Sequence, residues 1–385
     1  MLGLEGNDSA VLSSVTDADG ANCTGLYDHR GVARVLMPLH YTLVFALGLL
    51  GNSLALHVIW AQRSSKINAT TLYSANLAAS DVLFALSLPL RALYYALGFH
   101  WPLGEAACKV SGALFYVNTY AGVNFMTCLA LDRMVAVVGP RGRLARLRQV
   151  GTVRWVCLGV WLLVAAQALP LLAMRMTRAE PDGSVSCMEY PSLEASAGET
   201  LPHTLIGAVA LGYGAPVVTI VACYSVLWHK LRSVSRDSQL GVRSGRSQKA
   251  MGVTAGVVLV FLVCFTPYHL NLLQYMIRKL LYRPSCDELR SFQVSLHVTV
   301  CLMNFNSCLD PFVYFFACQG YKRKVLTLFK SKALLSRSIY SSPDSSCSNP
   351  NRHSLRVRLN STRDKDMERD KDKDKDKDKD KDESL

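Results

Sequence analysis

Four places in this 385-residue chain put ionisable side chains inside stretches that are otherwise apolar. They are Asp81 in "NLAASDVLF", Arg91 in "LSLPLRALYYALGFHW", the dyad Asp132–Arg133 in "MTCLALDRMVAVV" and Asp310 in "NFNSCLDPFVYF". A charge in hydrocarbon is costly, so such residues face a protein interior or a hydrated cavity and mark function. Asp81 and Asp310, with Asn118, Asn304 and Asn306, make a donor set suited to Na⁺ or a proton; a hydrogen-bonded structural core is the plainer use. Asp132–Arg133 closes an apolar run beside a basic loop, where an ion pair acts as static glue or as a releasable latch. Arg91 stays charged at any physiological pH and lies about 15 Å from Asp81 along one helix at 1.5 Å per residue. It would donate to a ligand hydroxyl or carboxylate, or else snorkel toward headgroups. Tyr116 and Tyr120, four apart, share a helix face, and Tyr268 follows Pro267. With Leu114, Phe115, Val117, Tyr94, Tyr95 and Met276 around them, these groups suit an amphiphile with few polar atoms.

The elements that position these residues are membrane helices. Half the chain is hydrophobic and only 18% is charged. The apolar residues fall in seven runs of roughly the 20 residues that cross a bilayer: Val35–Trp60, Leu72–Leu97, Ala107–Val138, Val153–Leu172, Leu201–Leu227, Ala250–Met276 and Phe292–Phe316. The expected class is therefore an all-α membrane protein, a seven-helix bundle over residues 35–317. An N-terminal tail (1–34) precedes it, and an amphipathic eighth helix (318–333) and a disordered tail (334–385) follow.

The net charge of +13 does not point to nucleic acid, because it is placed by topology. Arg63 and Lys66, Arg141, Arg143, Arg146 and Arg148, the Lys230–Lys249 loop, and Lys322, Arg323 and Lys324 all fall on one face. Such clustering marks the cytoplasm and puts the N-terminus outside a plasma membrane protein. The acceptor triplets at Asn7 and Asn22 agree as glycosylation sites, while those at Asn68 and Asn360 fall on the wrong side. Residues 1–30 show no cleavable signal peptide. Of the twelve cysteines, Cys128, Cys157, Cys223, Cys264, Cys301 and Cys308 lie in apolar helices as small hydrophobes. Cys23, Cys108, Cys187 and Cys286 fall outside, where disulfides form. Of the three pairings that four cysteines allow, Cys108–Cys187 with Cys23–Cys286 is the expected one. No metal site is expected, since no CxxC or spaced His pair accompanies them.

Prolines 89, 170, 216, 267 and 311 fall in five of the helices and predict kinks. Beyond Phe316, "ACQGYKRKVLTLFKSKALL" alternates basic and apolar residues, as an amphipathic helix on an anionic leaflet does. Cys318 is a lipidation candidate. The tail ends in "KDKDKDKDKDKDESL", whose cancelling charges offer nothing to bury. Serines between Ser336 and Ser354 are phosphorylation candidates.

Taken in order, "GN" at Asn52, "LAASD" at Asp81, Cys108, "DRM" at Asp132–Met134, Trp161, Pro216, "CFTPY" around Pro267 and "DPFVY" at Asp310–Tyr314 resemble the rhodopsin-like (class A) G protein-coupled receptors. The resemblance implies an activation switch of Asp132, Arg133, Phe265, Pro267, Asp310, Pro311 and Tyr314. It implies a polar or sodium pocket of Asp81, Asn118, Asn306 and Asp310, with Na⁺ as an allosteric ion and no other cofactor. The chain departs from the pattern at Met134, Phe265, Asp310 and Gly122. Phe115 stands where an amine receptor has aspartate, and no lysine lies in the seventh run for retinal.

A closer resemblance, to the virus-induced oxysterol receptors of lymphocytes within that family, rests on "VLMPLHYTLVF", "INATTLYSANL", "FYVNTYAGVNFMTCL", "SCMEYP", "CFTPYH" and "VCLMNFNSCLDPFVYFFACQGYKRKV". It covers roughly residues 22–330. It implies a 7α,25-dihydroxycholesterol receptor that directs immune-cell migration through Gi proteins, with arrestin and receptor kinases as further partners. The implied ligand contacts are Arg91, Tyr116, Tyr120 and Tyr268. A chemokine, peptide or other lipid receptor is the nearest alternative. A transporter would show an inverted repeat. An enzyme would show a nucleophile with its base, whereas His203, His269 and His297 stand apart.

Overall fold

A computed structural model of the chain describes residues 29–61, 67–138, 144–180, 183–188, 200–237, 241–282, 284–317, 321–322 and 325–327. Seven helical elements carry the fold. They are α1 (Arg30–Ala61), α2 (Ala69–Ala96), α3 (Gly104–Val138), α4 (Val150–Ala173), α5, α6 (Gly241–Leu281) and α7. α5 joins Thr200–Val209 to Ala215–Asp237 through a π-turn at Ala210–Gly214. α7 is split at Phe305 into Cys286–Asn304 and Asn306–Ala317.

Six of these helices, α1 to α6, are long and apolar enough to cross a membrane. α7 was expected as one continuous run, Phe292–Phe316. The break at Phe305, the acidic first turn with Asp287 and Glu288, and the polar Asn304 and Asn306 explain why it misses that measure. α4 shows the lipid-facing pattern plainly. Val153, Cys157, Val160, Val164 and Ala168 form a buried stripe at helical spacing, while Trp155, Leu162 and Leu169 on its other faces are exposed and equally apolar. A helix that is apolar all round while burying one narrow stripe suits lipid rather than water.

α3 is the axis. It packs on α2, α4 and α5, while α1 lies along α2 and the second half of α7. The link between α1 and α7 is specific: the Asn52 amide donates to Gly48 O at 2.9 Å and to Ser307 O at 2.8 Å. Local signals set the helix starts. Asn68 caps α2 by accepting from the Thr71 N–H, and Ser285 with Glu288 forms a capping box on α7.

The π-turn has a local cause. Pro216 lacks an N–H, and just before it the Ala215 N–H reaches five residues back to Ala210 O. Besides the expected helix prolines, α1 contains Pro38.

Between α4 and α5 the chain forms a small antiparallel hairpin, β1 (Thr177–Ala179) with β2 (Val185–Cys187). The disulfide Cys108–Cys187, with Cα atoms 5.9 Å apart, ties β2 to α3. Cys128, Cys157, Cys223, Cys264, Cys301 and Cys308 are free, as expected. Cys286 is disulfide-bonded. Cys23, its expected partner, lies outside the described residues, as do Asn7, Asn22, Cys318 and the tail from Leu328.

Candidate ligand cavity

Beneath the hairpin, residues from all seven helices and the hairpin's flanks enclose a cavity of about 120 Å³. All four expected contacts line it: Arg91 from α2, Tyr116 and Tyr120 from α3, and Tyr268 from α6. Phe115 and Tyr95 line it as well. Tyr94, Leu114, Val117 and Met276, expected around it, do not. Tyr94 instead packs edge-on against Phe99 and Trp101, and Met276 is fully buried with Tyr275 and Phe292. The reason is helical phase, since a neighbour in sequence on a helix points about 100° away.

The polar atoms divide between two sides. On one, the Arg91 guanidinium donates to Cys187 O at 3.3 Å and lies 5.7 Å from the Tyr94 ring centre. That bond is long for a charged donor, so a ligand oxygen would compete for it on good terms. Tyr41, Tyr95 and His297 stand on the same side: Tyr41 stacks on Tyr95 at 5.6 Å, and His297 meets Tyr95 edge-on. On the other side, Tyr116 and Tyr120 have ring centres 4.4 Å apart, and Tyr268 meets Phe115 edge-on. Met37, Leu171, Leu205, Leu272, Leu296 and Val300 supply the apolar wall between them. The arrangement can hold a long, mostly apolar molecule with a hydrogen-bonding group at each end.

Tyr120 is fixed from behind. A Cβ built on Gly212, in the π-turn, would stand 2.3 Å from a Tyr120 ring carbon. Gly212→Ala is therefore expected to force the ring toward the cavity and to cost about 1–3 kcal/mol of stability. Thermal unfolding of the purified protein checks this, and an unchanged midpoint would contradict the close approach.

Deeper in the bundle, Asp81 and Asp310 are fully buried. The Asn118 amide donates to Asp81 at 3.0 Å, and the Asn306 amide to Asp310 at 2.8 Å. Asp310, Ser307 and Tyr314 crowd Asp81. Asp81 Oδ2, Asp310 Oδ1, Ser307 Oγ and the Tyr314 hydroxyl are buried in this cluster without a well-formed hydrogen bond. Buried oxygens left open in this way fit a hard monovalent cation or a shared proton. A Cβ on Gly122 would meet Phe265 at 3.6 Å and Asn306 at 4.0 Å. Phe265 is buried in the same core as Tyr120 and Tyr213.

At the far end of α3 the expected Asp132–Arg133 pair is not formed. Asp132 instead accepts from Arg148 Nε at 2.7 Å and from the Thr70 hydroxyl. Arg133 lies near Tyr224 of α5, with Nη2 buried and unpartnered. Adjacent helix residues diverge by about 100°, whereas the short 3₁₀ segment Leu144–Arg148 folds back against α3.

The family model described as "7 transmembrane receptor (rhodopsin family)" matches residues 51–314, which is most of the bundle.

The chain belongs to the rhodopsin family of seven-transmembrane receptors.

Among curated relatives, this rhodopsin-family chain is 63% identical to G-protein coupled receptor 183 of Salmo salar, covering 83% of this chain and 86% of that one. It is 49% identical to G-protein coupled receptor 183 of Homo sapiens over 82% and 87%. A more distant relative, the uracil nucleotide/cysteinyl leukotriene receptor of Rattus norvegicus, is 31% identical over 86% and 94%. The chain is thus a multi-pass plasma membrane receptor that works with a G protein.

Sequence reasoning missed several residues of the receptor's cavity. Met176, Met188 and Gly112 close it below the hairpin, and Tyr41 and His297 line it. The methionines flank the cavity only because the disulfide pulls β2 onto α3. Met188 adjoins Cys187 in the sequence, which was a signal; Met176 lies eleven residues before it and gave none.

Proposed function

We propose that this receptor binds an oxysterol of the 7α,25-dihydroxycholesterol type and directs immune-cell migration through Gi-class G proteins. The observation that carries the reading is the cavity's polarity: one guanidinium facing three tyrosines across an apolar wall. A sterol with a hydroxyl at each end of a rigid ring system matches that pattern. Arg91 donates to one hydroxyl, while Tyr116, Tyr120 and Tyr268 bind the other and the rings between. The N-terminus with glycosylated Asn7 and Asn22 is outside, and Cys23 pairs with Cys286. Residues 1–34 form the outer tail, 35–317 the bundle, 318–333 an amphipathic helix, and 334–385 a tail for receptor kinases and arrestin.

The ligand acts by binding the active bundle better than the inactive one. α6 pivots at Pro267 beside Phe265, and rearrangement around Asp310, Pro311 and Tyr314 frees Arg133 for the G protein. Na⁺ held by Asp81, Asn118, Asn306 and Asp310 opposes that change. Asp132 complements the switch: while Arg148 and Thr70 hold it, it leaves Arg133 unlatched. Arg148→Ala is expected to return Asp132 to Arg133 and lower basal nucleotide exchange by roughly fivefold. Basal GTPγS binding measures this, and a rise would refute the assignment.

The test of the whole reading is G protein activation by cells expressing the chain, across oxysterols, lysolipids, leukotrienes, nucleotides and chemokines. A response to 7α,25-dihydroxycholesterol at low concentration is expected. A response confined to chemokines or to leukotrienes would replace the ligand assignment; an acidic lipid would also satisfy Arg91, and the rat relative is named for one.

A further inference from the structure

We propose that Glu105 is a positioning residue for the cavity, clamping the hairpin so that Met176 and Met188 stay closed over the ligand. The inference rests on the reading of this cavity as the ligand site. Glu105 lies in the first turn of α3, three residues before the disulfide cysteine. One carboxylate oxygen accepts the Met176 N–H at 2.8 Å, and the other accepts the Thr177 N–H at 2.9 Å together with the Thr177 hydroxyl. Lys109, one turn along, lies 3.6 Å from the first oxygen.

These bonds complement the ties on β2. The disulfide holds Cys187, while the Trp101 N–H donates to Val185 O at 2.8 Å and the Val185 N–H donates to His100 Nδ1 at 3.2 Å. Glu105 grips the opposite strand at Met176 and Thr177, so the hairpin is held along both edges.

What the clamp positions is visible at Gly112. A Cβ there would stand 3.0 Å from the sulfur of Met176 and 3.0 Å from that of Met188. Both thioethers therefore lie flat against the α3 backbone and roof the cavity they line. The Met188 N–H donates to Met176 O at 3.0 Å, which couples the two. Met188 has φ of 62°, a conformation that side chains other than glycine adopt only when their surroundings enforce it. A carboxylate is needed for this grip because it presents two acceptors to two neighbouring N–H groups. Glutamine would turn an NH₂ toward one of them. Charge-assisted bonds of this kind are also the stronger ones.

The test uses the full chain in two measurements. Tritiated 7α,25-dihydroxycholesterol is expected to leave membranes bearing Glu105→Gln roughly tenfold faster than wild type, with association little changed. Independently of any ligand, hydrogen peroxide titrates lid opening in the purified receptor. Sulfur attacks the peroxide, takes one oxygen to become sulfoxide, and water leaves. Met176, which is 1% exposed, reacts only when the lid opens, and Met303 inside the bundle serves as reference. Mass spectrometry should show the Met176-to-Met303 oxidation ratio rising roughly tenfold in Glu105→Gln and by an intermediate factor in Thr177→Ala.

An unchanged ratio in Glu105→Gln receptor with the Cys108–Cys187 bond intact overturns the clamp. A raised ratio with unchanged dissociation overturns its control of the ligand. Wild-type receptor that fails to bind the sterol refutes the oxysterol reading alone, and the oxidation ratio still decides the clamp.

Discussion

Arg91→Ala is expected to remove the response to 7α,25-dihydroxycholesterol while the receptor still reaches the cell surface. Arg91 lines the cavity half-buried, and its bond to Cys187 O is a long 3.3 Å. A ligand hydroxyl buried against the guanidinium would draw a charge-assisted bond in place of that long one. Such a bond contributes about 1.5–3 kcal/mol, so its loss raises the half-maximal concentration by roughly 10- to 100-fold. Arg91→Lys should fall between, because an ammonium keeps the charge but not the planar fork. The check is a G protein activation curve on cells matched for surface receptor. An unchanged curve for Arg91→Ala would remove the residue from the ligand site, and loss of surface receptor would show a folding role instead.

The second large effect is expected from Cys187→Ser. The Cys108–Cys187 bond spans 79 residues and anchors the hairpin that roofs the cavity. Loss of a disulfide closing a loop of that size costs about 2–4 kcal/mol. The local loss is more specific than this figure suggests. Cys187 also supplies the carbonyl that Arg91 meets, and the next residue, Met188, is part of the roof. Surface expression should fall, and receptor that does reach the surface should bind the sterol weakly. Saturation binding on surface-labelled receptor separates the two. Full binding with normal expression would mean that Glu105, His100 and Trp101 hold the hairpin unaided.

The bundle was legible in the sequence because lipid demands long apolar runs, and six of the seven expected runs recur as continuous spans. Arg91, Tyr116, Tyr120 and Tyr268 were expected together from their types, spacing and family resemblance, and they line one cavity. The rest turned on geometry that spacing does not encode. Asp132 and Arg133 are adjacent in the chain, yet Arg148, sixteen residues on, provides the partner because a 3₁₀ turn brings it back. Glu105 reads as an ordinary acidic residue at a helix start until the hairpin is laid over it. Gly112 and Gly212 reveal their purpose only through the side chains pressed against them.

The π-turn at Ala210–Gly214 carries a consequence for how α5 is geared to the rest of the bundle. It holds one residue more than a regular turn would, so the helix below it is out of phase with the helix above. On a regular helix Leu205, on the cavity side, and Tyr224, near Arg133, would point about 100° apart; the extra residue lets both face the bundle interior. Regularising the turn would act as a rotary ratchet, swinging the lower half by about 100° and advancing it by about 1.5 Å. A one-residue deletion at Leu211 would instead absorb the extra residue, giving a regular helix that keeps Leu205 and Tyr224 on their present faces.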